Sequence, residues 1–441
     1  MRALFILIFI ISLCEQHSYG QFWQISDEKR NKAIPFEFVN NLIIIEVILN
    51  DEPLSFILDN GVKETLLFGE IDSLRLRNTS SFVFQGFGIG KPINGLISKN
   101  NKLQISNVVD TSHHLYVITD TSFNLSKNVG VHIHGILGSS FFRNNVIAID
   151  YVKNKIIIAR RVGDLGIRLS KFKEYPIEIE NDRAYKSVHF RTKDSVYNNQ
   201  KVLLDLGNSD PMMLFQDEID EFNVYTPYIR DYLGYGFSGE VFGLKNRIQS
   251  VVLGDYTIKS PIVSYPDTNS YDRNRIAKNR VGSIGNQVLS RFYLVFDYTN
   301  DRLYLKPNKN FNKPFTLDMS GLEIVHGGFE FVKHRKTDFT KNEINGAKTI
   351  NFSTEVNYII ELHSNYVIDQ VRRHSPAERI GVKIGDKLLK INGSNVGKMK
   401  LQQIKSRLQA GQDKRIKIQV LRENRILNFD FKLEDPLSSE L

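Results

Sequence analysis

Two acids stand at the ends of apolar runs, each followed two positions later by glycine. The first stretch is Phe56-Ile57-Leu58-Asp59-Asn60-Gly61 and the second is Val202-Leu203-Leu204-Asp205-Leu206-Gly207. Asp is depleted in strands, so an apolar strand that delivers a carboxylate onto a glycine turn is an unusual construction. Two copies point to a pair of carboxylates brought together. Such a pair cannot easily carry two charges; one pKa rises and the two share a proton. A charged and a protonated carboxylate side by side can serve as a general base and a general acid. Gly61 and Gly207 let the backbone turn tightly and come close to the acids.

The flanking sequence reads as the machinery that aims them. Leu42 to Leu49 is a strand, Asn50-Asp51-Glu52-Pro53 a turn, and Leu54 to Leu58 the returning strand that ends at Asp59. The glycine-rich run Gln85-Gly86-Phe87-Gly88-Ile89-Gly90 reads as a flexible hairpin. It opens no helix and is followed by no Gly-Lys-Ser/Thr, which excludes a phosphate cradle. Gly135-Ile136-Leu137-Gly138 then leads into Arg143 to Tyr151, and Asn154 to Ile158 closes the unit.

The pattern repeats. Ser187 to Arg191 and Lys201 to Leu204 form a hairpin carrying Asp205, and Gly234 to Gly239 is a second glycine-rich segment. Gly282-Ser283-Ile284-Gly285 answers Gly135 to Gly138, and Arg291 to Tyr298 answers Arg143 to Tyr151. Asp59 and Asp205 lie 146 positions apart, Gly138 and Gly285 147, and Asp150 and Asp297 147. A duplicated unit of this length is two lobes, not a solenoid. Packing about a pseudo-twofold axis would set Asp59 beside Asp205. Asp150 and Asp297 read as structural strand residues.

Composition bounds the alternatives. The 441 residues, with 29 Phe and 18 Tyr, supply large β-rich cores. The net charge of +9 is spread without a long basic block, so no nucleic-acid partner is expected. Met1-Arg2, the apolar Leu4 to Ile11 and the small-x-small Ser18-Tyr19-Gly20 predict a signal peptide over 1–20 and export to the periplasm, cell surface or medium, with no transmembrane segment in the mature chain. Cys14, the only cysteine, lies inside that leader, so the mature chain has no disulfide and no thiolate site. His113-His114 and the alternating His132 and His134 read as ordinary histidines, and no metal or cofactor is expected.

Beyond a Lys- and Asn-rich connector over 307–354 with some strand content, residues 355–434 read as a small α+β unit. Ser375-Pro376-Ala377, Gly381-Val382, Gly385-Asp386 and Ile391-Asn392-Gly393 precede Leu401, Ile404 and Leu408 on one helix face, and Ile416 to Phe431 forms a terminal hairpin.

The duplicated region resembles the bilobal aspartic proteases of pepsin-like and retropepsin-like type. The C-terminal unit resembles a PDZ domain. The layout is similar to bacterial exported aspartyl proteases with a C-terminal PDZ domain. The resemblance implies a mainly β fold of two β-barrel-like lobes, at 21–165 and 166–306. It implies Asp59 and Asp205 as catalytic residues acting on a peptide or protein substrate. Asn60, Gly61, Leu206 and Gly207 would form the supporting turns, and Phe87, Gly88 and Ile89 a flap. The PDZ domain would position substrate or a protein partner. The family places a hydroxyl residue between Asp and Gly, where it braces the two loops across the axis. Asn60 keeps hydrogen-bonding groups there and Leu206 has none, so a broken symmetric brace is expected. The alternative is a catalytically impaired relative that binds peptides without cutting them.

Overall fold

The structure is a computed structural model that describes residues 23–25, 33–69, 74–84, 93–120, 125–236, 239–336, 339–344, 347–352 and 357–438. The leader read over 1–20 and the flap residues Phe87, Gly88 and Ile89 lie outside the described residues.

Among the described residues three sheets build the two lobes. One large sheet belongs to the first lobe and one to the second. A six-stranded sheet joins them, in the order Lys173–Pro176, Arg302–Pro307, Phe292–Asp297, Val146–Asp150, Lys155–Ala159 and Ile34–Pro35. At its centre Val146–Asp150 runs antiparallel to Phe292–Asp297, with Ala148 opposite Val295. Those two residues are 147 positions apart, the spacing of the repeat. A residue paired with its own counterpart lies on the axis that relates the halves, so the pseudo-twofold passes between Ala148 and Val295. These strands are buried nearly throughout, with Val146, Ile147, Ala148, Leu294, Val295 and Phe296 all at 0% exposure. Such continuous apolar runs are what a strand covered on both faces requires. Asp150 and Asp297 end the pair as turn residues: each carboxylate accepts from two backbone N–H groups just downstream.

The strands that carry the acids follow one design in both lobes. Glu52–Leu58 pairs in parallel with Gly135–Leu137, and Val196–Leu204 with Arg280–Ile284. The second member of each pair is also bound antiparallel by the strand just after the acid, Thr65–Phe68 in one lobe and Met212–Leu214 in the other. Each acid therefore leaves its strand inside a crossed loop held on both sides.

The C-terminal unit has its own apolar core and a sheet ordered Leu322–Lys336, Asn357–Val371, Lys387–Ile391, Arg415–Arg422 and Arg425–Lys432. Helix Leu401–Leu408 buries Leu401, Ile404 and Leu408, the face read from their spacing. The strand content of the connector is longer than its local pattern shows. From Leu322 it is a long strand of this sheet, paired from Leu322↔Val371 to Lys336↔Asn357, and its partner lies too far along the chain to show in a local pattern. No helix among the described residues is long and apolar enough to cross a membrane.

Candidate active site

Asp59 and Asp205 meet at the axis. Asp59 N–H donates to the Leu137 carbonyl at 3.0 Å and Asp205 N–H to that of Ile284 at 2.9 Å. Each carboxylate then folds back to accept from the glycine two positions on, Gly61 at 2.7 Å and Gly207 at 3.0 Å. The glycines are required by what stands opposite. A Cβ on Gly61 would lie 2.6 Å from Oδ1 of Asp205, and one on Gly207 would overlap the Asp59 carboxylate. Each acid is thus seated against the other lobe's glycine.

This neighbourhood shifts both groups. Burial raises the Asp59 pKa, and the Asp205 charge raises it further, to about 7 despite donation from the Gly61 and Val62 backbones. Asp205 is raised by burial too, opposed by the Arg280 charge, by the backbones of Gly207 and Asn208 and by Arg183. Interacting acids titrate as a pair; here the pair holds a proton well above the usual carboxylate range.

The brace between the loops is asymmetric, with a side chain on one side and backbone on the other. Leu206 is fully buried in the main core and contributes no polar side chain. Its backbone N–H donates to the Asn60 side-chain oxygen at 2.8 Å, across the axis. Its carbonyl accepts from the Asn286 amide at 2.6 Å. Two tyrosines complete the arrangement: Tyr298 lies 3.4 Å from the Asn60 amide nitrogen, and Tyr151 donates to the Asn286 oxygen at 2.6 Å. Tyr151 and Tyr298 are themselves 147 positions apart. An amide has both donors and an acceptor, so Asn60 and Asn286 between them satisfy both backbone groups of Leu206. Asn286, Tyr151 and Tyr298 were missed in the sequence as site residues, although the tyrosines repeat at the duplication spacing.

The acids lie on the floor of a cleft of about 1280 Å³. Its walls include Gly234, Tyr235 and Gly236 of the hairpin Tyr228–Gly236 and Gly239–Arg247 of the second lobe. On the first lobe, strand Ser80–Phe84 pairs with the start of Ile93–Ile105, the two strands that flank the expected flap. Of the histidines singled out in the sequence, His113 is buried between Asp110 and Thr65, and His134 accepts from the Ser55 backbone.

The C-terminal unit closes one end of the cleft. Ion pairs Lys127–Asp369 and Arg372–Asp231 tie it to both lobes, and helix Leu125–Val129 packs on strand Leu322–Lys336. That strand is the free edge of its sheet. At its start the Asp318 carboxylate accepts from the Gly321 and Leu322 backbones and from the Ser320 hydroxyl.

Residues 367–422 match the PDZ domain family. No curated protein matches the chain. Among solved structures the chain is similar to the aspartic proteinase from Irpex lacteus, with 14% identity, a TM-score of 0.43, and 64% of this chain and 99% of that chain covered. The fold is mainly β: a two-lobed, sheet-rich body followed by a C-terminal PDZ domain.

Proposed function

We propose that the chain is an aspartic endopeptidase, with Asp59 and Asp205 as its catalytic pair. One observation carries this reading: two carboxylates from equivalent loops each pack against the other lobe's glycine across the pseudo-twofold, burial pushes the titration of both upward, and the Asp205 charge pushes Asp59 further. The shared proton divides the labour. The charged carboxylate takes a proton from water as the water oxygen bonds to the peptide carbon, and the protonated one gives its proton to the carbonyl oxygen. The resulting diol returns a proton to the carboxylate. The other carboxyl protonates the amide nitrogen, the C–N bond breaks, and an acid and an amine leave. The Asn60–Leu206–Asn286 brace keeps the loops in register, since small misplacements of reacting groups are costly.

The PDZ domain at the end of the cleft serves to position substrate or a protein partner. The leader-like start of the sequence supports action outside the cytoplasm. Digestion of a pooled peptide library by the purified protein, read by mass spectrometry with and without a chelator, tests the activity. Endoproteolytic fragments that persist with the chelator are expected; a folded protein that cuts nothing refutes it.

A further inference from the structure

The cleft wall on the Asp205 side carries two cations that the hydrolytic step does not use. Arg183, at the start of strand Arg183–Arg191, and Arg280, at the start of Arg280–Ile284, both line the cleft. Three other arginines lining the cleft are matched: Arg230 with Asp267, Arg275 with Asp272 and Arg372 with Asp231. Arg183 and Arg280 have no such partner among the described residues. The Arg183 Nε is buried with no hydrogen bond. Arg280 uses its Nε on the Gly282 carbonyl at 3.0 Å and lies over the Phe215 ring, 5.4 Å from its centre. The ring and the carbonyl fix the guanidinium while leaving its other N–H donors for a ligand.

Two close cations in a half-enclosed site repel each other and are costly to desolvate. The catalytic pair offsets them by one negative charge while it holds its shared proton. An acidic group is still wanted there, and the peptide that occupies this cleft during turnover can supply it.

We propose that Arg183 and Arg280 form a subsite for an acidic side chain of the substrate, next to the scissile bond on the Asp205 side. This rests on the endopeptidase reading and specifies its substrate class: peptides with Glu or Asp beside the bond. A carboxylate there gains charge-assisted hydrogen bonds from planar donors. A lysine would meet two like charges.

The test uses matched peptides that differ only in Glu, Gln or Lys beside the bond. One arm measures kcat/KM with the wild-type protein. A second measures binding by anisotropy to the Asp59→Asn protein, which needs no turnover, so a lack of cleavage refutes the endopeptidase reading while the subsite is still tested. The Glu peptide should be favoured over Gln by about tenfold or more in binding, with Lys weakest. The preference should shrink at high salt and disappear in Arg183→Gln/Arg280→Gln. Salt dependence is read on the native arginines and does not require that variant to fold. Equal binding of Glu and Gln peptides, or a preference for Lys, overturns the proposal.

Discussion

The side-chain oxygen of Asn60 accepts the backbone N–H of Leu206 at 2.8 Å, from one lobe to the other. This contact joins the two loops that hold the acids, and it is made where only one of the two loops has a polar side chain to offer. Asn60→Ala should therefore orphan a fully buried N–H and cost about 1–3 kcal/mol, seen as a lower melting temperature together with reduced kcat. Leu206→Thr should not raise turnover, because the N–H and carbonyl it would help to bridge are already taken by Asn60 and Asn286 and the new hydroxyl would be buried. A large gain in activity from Leu206→Thr would show the brace to be incomplete.

Gly207 tests the closeness of the acids. A methyl group there overlaps the Asp59 carboxylate, so Gly207→Ala must push the pair apart. Turnover should fall by about a hundredfold while circular dichroism shows a folded protein. Unchanged kcat would mean that the two loops do not meet as described.

Stability should report the buried pair. The folded pKa of Asp59, about 7, lies above its ordinary value of 3.8. Its contribution is fully present below 3.8 and is lost as pH rises through about 7. Asp59→Asn removes the charge that causes the loss. The variant should melt close to the wild type near pH 4 and above it near pH 8, with the gap opening through about pH 7. A gap that is constant with pH would remove Asp59 from the buried pair.

The duplication and the two acids were legible because each is a short linear pattern repeated at one spacing. The brace was not. Leu206 read as a loss because it has no hydroxyl, and nothing local indicates that Asn60 reaches a backbone 146 positions away or that Asn286 covers the carbonyl. The strand from Leu322 was hidden for the same reason, its partner being Asn357–Val371. Arg183 and Arg280 sit in no motif; only the fold brings them to the cleft wall.

The PDZ domain offers a separate check. Asp318 occupies the backbone donors of Gly321 and Leu322 at the start of the edge strand, and PDZ domains take peptides by strand addition to such an edge. The wild-type protein should therefore bind free C-terminal peptides weakly, and Asp318→Ala should bind them more tightly in a titration calorimeter. Tight binding to the wild type, unchanged in the variant, would place peptide capture elsewhere.

The proposed hydrolysis of peptides needs Asp59 and Asp205 together. It is tested most directly by comparing wild type, Asp59→Asn and Asp205→Asn on one fluorogenic peptide between about pH 3 and 8, with melting curves for all three. Cleavage by the wild type is expected, with a loss of at least about a thousandfold in each variant while all remain folded. Retained cleavage in either variant, or a folded wild type that cuts no peptide across that range, would contradict it.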